Sequence, residues 1–185
     1  MVRYFAEKAI SELSHSILNI DPGAVDAACK AIASANNIVL YGCGREALQI
    51  RGFAMRLHHL GCSVSMQGDI SAPPLGEGDL FIASAGPGEL STVSALMTVA
   101  HEAGADILFL TAQPETASAR LASLVLPISA QTMADDLDKT DASVLPMGSL
   151  YEGAMFILFE VMVLMLKKRI GVDAETMRAR HTNME

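Results

Sequence analysis

The chain has 185 residues, of which 51% are hydrophobic and 5% aromatic, and its formal net charge is −8. That length suits one domain, residues 1–185, with a full core built from aliphatic side chains and the 11 methionines. The acidic balance excludes nonspecific nucleic-acid binding, because phosphate backbones repel such a surface.

Charges run through the opening MVRYFAEKAISELSHS, which reads against a signal peptide. Phe5, Ile10, Leu13, Ile17 and Leu18 fall near helical spacing and predict an amphipathic helix over residues 2–19. Asp21-Pro22 is a capping residue followed by a proline at the first helical position, and it opens a second helix through Ala35. Strands are then predicted at Ile38–Tyr41, Ser63–Gln67, Asp79–Ser84, Asp106–Thr111 and Leu124–Ile128. Helices alternate with them at Arg45–Leu60, Glu89–Ala103 and Glu115–Leu121, the first two stopped by Gly61 and Gly104. The alternation predicts an α/β fold of three layers, a five-stranded parallel sheet with helices on both faces.

A polar, acidic loop follows over Ser129–Ser143, in which Asp135-Asp136-Leu137-Asp138 reads either as a lid or as a solvated turn. A long helix is predicted from Met147 to Arg169 and a short one over Asp173–Arg180. Inside the long helix the 13 residues Ala154–Leu166 are apolar except for Glu160. They fall short of the roughly 20 that a bilayer requires, so the segment reads as buried rather than membrane-spanning. A chain this small has little interior to hide it, which favours a subunit interface and a homo-oligomer. Cys29, Cys43 and Cys62 are odd in number with no CxxC pair, and read as reduced thiols of a cytoplasmic protein.

Two glycine turns carry the lead to function. In Asn37–Ala47, NIVLYGCGREA, an apolar strand runs into Gly42 and Gly44 and then a helix start; in Asp79–Val93, DLFIASAGPGELSTV, the device recurs with Gly86 and Gly88. Such turns bring backbone N–H groups close to an anionic or sugar-like ligand. The first fits G-x-G-x-x-G/A with Asp69 at the next strand end, a weak dinucleotide signature; the alternative is that its glycines only permit a tight turn. The second turn, with Thr111-Ala112-Gln113 after the fourth strand, distributes polar groups over several strand ends. One pocket there suits a compact polyol phosphate better than an extended dinucleotide.

The order GCGR, FAMRLHHLG (Phe53–Gly61), AGPGEL, FLTAQP, PMGSLYE and a terminal Arg180-His181 resembles the sugar isomerase (SIS) domain family, over about residues 3–185. Within it the likeness is to 6-phospho-3-hexuloisomerases. The resemblance implies a flavodoxin-like fold and an isomerase that interconverts fructose 6-phosphate and the 3-hexulose phosphate through an enediolate. It further implies a cytoplasmic homotetramer working without cofactor or metal. By position it makes Glu152 the base, His181 from a neighbouring subunit the ring-opening group, and Arg45 the residue that orients substrate oxygens. Gly42, Gly44, Ser84, Gly86, Gly88, Ser91, Thr92 and Thr111 become the candidate substrate- and phosphate-binding positions. The chemistry suits these residue types: a desolvated carboxylate gains basicity, histidine exchanges protons near neutrality, and a fixed guanidinium stabilises an enediolate. His58 and His59 are adjacent on a helix, point apart, and read as packing or intersubunit contacts.

The family usually has Ser-Gly-Ser-Gly-x-Thr at the second turn, where this chain has Ala85, Pro87 and Leu90 in place of hydroxyls. Glu46 stands where the family has serine, and a carboxylate there repels phosphate unless it turns away to a cation such as Arg51 or Arg56. Other readings therefore stay open: an isomerase of an unphosphorylated or otherwise modified sugar, a noncatalytic module that binds a sugar phosphate, and a dinucleotide enzyme.

Overall fold

A computed structural model of the protein describes residues 1–135 and 143–184. Helix α1 spans Val2–Leu18 and α2 spans Pro22–Ser34. The Asp21 carboxylate accepts the N–H groups of Gly23 and Ala24 at 3.0 and 3.1 Å, satisfying two donors that the start of α2 would leave unpaired. Five strands follow: β1 (Ile38–Gly42), β2 (Val64–Met66), β3 (Leu80–Ser84), β4 (Asp106–Thr111) and β5 (Leu124–Pro127). All pair in parallel, in the order β2-β1-β3-β4-β5. Helix α3 (Glu46–Leu60) crosses from β1 to β2 and α4 (Ser91–Glu102) from β3 to β4, with α5 (Ser149–Ile170) and α6 (Ala174–Ala179) closing the chain.

Helices cover both faces, as the α/β expectation requires. One core joins Ile32, Phe53, Leu57, Ile82, Tyr151 and Met162 from α2, α3, β3 and α5; the other joins Val93 and Met97 of α4 to Phe81, Ile107 and Phe109. Within the first core α3 and α5 are joined tightly. Phe53 stacks on Phe159 at 4.2 Å and 6°, and Arg56 makes two hydrogen bonds to Glu160 at 2.9 and 3.1 Å.

The sheet order positions the site. Strand β1 has β2 on one side and β3 on the other, so the chain direction of the crossovers reverses there and a crevice opens at the carboxyl ends. Gly42 pairs directly with Ser84, which brings the two glycine turns side by side.

Three expectations change. The helix predicted at Glu115–Leu121 reduces to a 3₁₀ turn over Ala119–Leu121. Its first half is tied to the Gly88 turn instead: Ala117 N–H donates to Glu89 at 2.8 Å and the Thr116 hydroxyl to the Gly88 carbonyl at 3.3 Å, which removes groups a helix would use. The same bond explains why α4 begins at Ser91 rather than Glu89, with Leu90 extended at φ −131°.

Helix α5 has 22 residues, and its most apolar 18-residue stretch has a mean hydropathy of 1.8, so by length and composition it could span a membrane, although the apolar run alone could not. It is instead a core helix. Ala154, Met155, Leu158, Met162 and Leu166 are buried against the rest of the chain, so a single chain has more interior than the sequence led us to expect. Phe156 and Leu164 remain exposed, at 58% and 66%. Asp136, Leu137 and Asp138 of the acidic loop lie outside the described residues. Cys29, Cys43 and Cys62 are free thiols, and among the described residues no group of three His, Cys, Asp or Glu is placed to hold a metal ion.

Candidate active site

The first turn delivers a cation. Gly42 permits close strand–helix packing, since a Cβ there would sit 3.2 Å from Ile50 Cγ1, and Gly44 turns the chain at φ +57°. Arg45 then crosses to the start of α5. Its Nη1 donates to the Ser149 hydroxyl at 3.0 Å, its Nη2 to the Met147 carbonyl, and its Nε lies 3.2 Å from Glu152 Oε1. Met147 and Gly148 are both left-handed, at φ 56° and 80°, and this bend aims the first turn of α5 at the crevice. A methionine in that conformation is strained.

Glu152 is a largely covered carboxylate at the start of α5. Its side chain is 15% exposed against 47% for Arg45. Burial raises its pKa above the ordinary glutamate value, the Arg45 guanidinium opposes that, and the nearby Glu46 carboxylate adds to it. The carboxylate is therefore more basic than a solvated one, while its cation holds it charged and oriented.

The second turn is occupied by the chain itself. Glu46, the first residue of α3, turns across the crevice to β3 rather than to Arg51 or Arg56. Its carboxylate accepts the Gly86 N–H at 3.0 and 3.1 Å and the Ser84 hydroxyl at 2.5 Å. Burial raises its pKa, opposed by those same bonds to Ser84 and Gly86. The other amides of the turn are committed too. Ala85 N–H donates to the Leu110 carbonyl at 3.1 Å and Gly88 N–H to the Ala85 carbonyl at 2.9 Å, while Pro87 has no N–H. Above this turn the Tyr151 hydroxyl is buried without a hydrogen-bond partner among the described residues. Burial first, and Glu46 second, push its pKa well above the usual phenol value.

Between these groups lies a cavity of about 330 Å³, lined by Gly44, Arg45, Glu46, Pro87, Tyr151 and Glu152 among others. Of the sequence candidates, Gly44, Arg45 and Glu152 reach it. Gly42 and Gly86 support its walls. Ser84 is fully buried with its hydroxyl on Glu46, and Thr111 is fully buried with Oγ1 accepting Gln113 N–H at 3.0 Å. Gly88 is packed, since a Cβ there would lie 2.7 Å from Gln113 Cβ and Thr116 Cγ2. Ser91 and Thr92 stand exposed at the start of α4, off the cavity wall. Asp69 accepts Met66 N–H at 2.9 Å and lines a separate cleft of about 520 Å³, so the acid and the glycine turn of the dinucleotide reading face different cavities.

His181 is not at this cavity within one chain. It lies 5.3 Å from His59, ring to ring, and Arg180 Nη1 donates to the His59 carbonyl at 3.2 Å. His59 is near the last residue of α3 and Arg45 caps the first, which separates them by about 20 Å at 1.5 Å per residue. Tyr151 and the bend at Met147 escaped the reading of the sequence. The signal for Tyr151 was its place one residue before Glu152, and Met147 carried none, because methionine gives no hint of a positive φ.

The SIS domain model matches residues 31–151 of the chain. A protein of Bacillus subtilis (strain 168) named 3-hexulose-6-phosphate isomerase is 34% identical over 182 residues, covering 98% of this chain and 97% of its own. One of Methylomonas aminofaciens with the same name is 34% identical over 181 residues, covering 98% of each chain. A crystal structure from Methanococcus jannaschii, whose description infers that same molecular function, superposes with a TM-score of 0.81 at 23% identity, covering 97% of this chain and 98% of that one. On the extent of the domain match and the full-length identity to those relatives, the chain belongs to the SIS domain family.

Proposed function

We propose that this protein is a phosphosugar isomerase that interconverts 3-hexulose 6-phosphate and fructose 6-phosphate in the cavity between the first glycine turn and α5. The observation that carries the reading is the Arg45–Glu152 pair: a partly buried carboxylate with raised basicity, 3.2 Å from a guanidinium, both facing a space of sugar size. The substrate comes from the relatives' name.

The reaction moves one proton between neighbouring carbons. Glu152 takes the proton from the carbinol carbon, the electron pair shifts toward the carbonyl oxygen, and an enediolate forms. Arg45 stabilises the oxyanion with a charge that its bonds to Ser149 and the Met147 carbonyl hold in place. Passage of the hydroxyl proton from the carbinol oxygen to the former carbonyl oxygen, and return of the abstracted proton to the other carbon, leave the carbonyl shifted by one position. Oxidation at one carbon balances reduction at its neighbour. His181 acts from a neighbouring protomer to open the sugar ring, which fits its distance from Arg45 along α3. The exposed stripe of Phe156 and Leu164 on α5 is covered by that assembly, a homo-oligomer in the cytoplasm.

Glu152→Gln tests the base. Turnover in a fructose 6-phosphate assay should fall by about 10²- to 10⁴-fold, the range for a lost general base, with ligand-induced thermal stabilisation retained. Unimpaired turnover would remove Glu152 from the mechanism.

A further inference from the structure

The Ser84–Gly88 turn is an anion seat that already holds its anion. Gly86 N–H and the Ser84 hydroxyl both donate to Glu46, whose side chain is half-buried. We propose that Glu46 sets the pocket's affinity for phosphate: its carboxylate occupies the seat, and a phosphorylated sugar binds there only by displacing it. This rests on the isomerase reading above, and it adds a specificity-determining residue that the reading does not require.

The fate of each donor supports the assignment. Ala85 and Gly88 give their N–H groups to the Leu110 and Ala85 carbonyls, and Pro87 has none to give, so between Ala85 and Gly88 the one amide open to an incoming anion is that of Gly86, which Glu46 now uses together with the Ser84 hydroxyl. A carboxylate and a phosphate side by side in a partly buried seat repel several times more strongly than in water, so one excludes the other. Charge points the same way. Glu46 and Glu152 face the cavity with Arg45, so the walls carry a net negative charge while Glu46 is seated, and withdrawal of Glu46 leaves Arg45 and Glu152 balanced.

The test compares wild type with Glu46→Ser and Glu46→Gln by calorimetric titration of inorganic phosphate and of fructose 6-phosphate, with melting curves to establish folding. Glu46→Ser should bind phosphate about tenfold or more tightly than wild type, equivalent to about 1.4 kcal/mol. Glu46→Gln keeps the shape without the charge and should show a smaller gain. In turnover the gain should appear as a lower KM rather than a higher kcat. Unchanged or weaker phosphate binding in the folded variants overturns the proposal, and the isosteric Glu46→Gln decides alone if Glu46→Ser does not fold. If phosphate binding tightens but no variant converts fructose 6-phosphate, the isomerase reading fails while this inference stands. Conversion of fructose 6-phosphate with unchanged phosphate binding upholds the isomerase and removes Glu46 as its specificity residue.

Discussion

The two glycine turns begin as neighbours, Gly42 opposite Ser84 in register, yet they present opposite surfaces to the cavity. The first is open: among the described residues nothing lies within 4 Å of a Cβ built on Gly44, and Arg45 leaves it to meet Glu152. The second is closed: the amides of Ala85, Gly86 and Gly88 are engaged, Gly88 is packed against Gln113 and Thr116, and Glu46 fills its anion seat. A strand–glycine–helix motif is thus a statement about backbone path. Whether it receives a ligand depends on which side chain reaches its N–H groups first, and here that side chain comes from the other turn.

The contrast can be broken by mutation. Gly88→Ala should have the largest effect, about 3 kcal/mol of lost stability, because it combines a left-handed backbone at φ +89° with contacts of 2.7 Å to two side chains. Urea denaturation measures it; a neutral result would mean the second turn is looser than its packing implies.

A pH series sharpens the comparison next. Burial raises the Glu46 pKa in the folded chain, so the folded state holds that proton more tightly than the unfolded one. The resulting stability is fully present below the unfolded value and is lost as pH rises through the folded one. Wild type should therefore lose stability across and above the ordinary glutamate range, and Glu46→Gln should lose less. Glu152, shifted in the same direction, keeps part of the drift in both proteins. Identical slopes would place Glu46 in water. Gly44→Ala should matter least, about 1 kcal/mol, since its only cost is a left-handed alanine at φ +57° with no neighbour to meet. A loss as large as that at Gly88 would erase the distinction between the turns.

The fold was largely legible before the structure, because Ile38–Tyr41, Asp79–Ser84 and Asp106–Thr111 are short apolar runs between helical stretches, and that alternation admits few architectures. Glu115–Leu121 misled because its hydroxyls and Glu89 prefer bonds to a distant turn over bonds within a helix, a tertiary choice invisible in local composition. At the site, Arg45 and Glu152 could be named from the sequence, but not their 3.2 Å approach, which depends on the bend at Met147. The departure at Glu46 was visible as a charge in the wrong place. Its destination was not, since an unpaired carboxylate is ordinarily expected to seek a cation, and this one found an amide and a hydroxyl.

The ring stack of Phe53 on Phe159, with Arg56 and Glu160 beside it, sits about two turns down from the helix ends that carry Arg45 and Glu152. Those two helices behave as the blades of a pair of shears riveted at the aromatic contact. A rotation of a few degrees at the rivet is magnified at the tips, where proton transfer tolerates very little misplacement. Remodelling this remote joint, without touching a cavity-lining residue, would retune the catalyst.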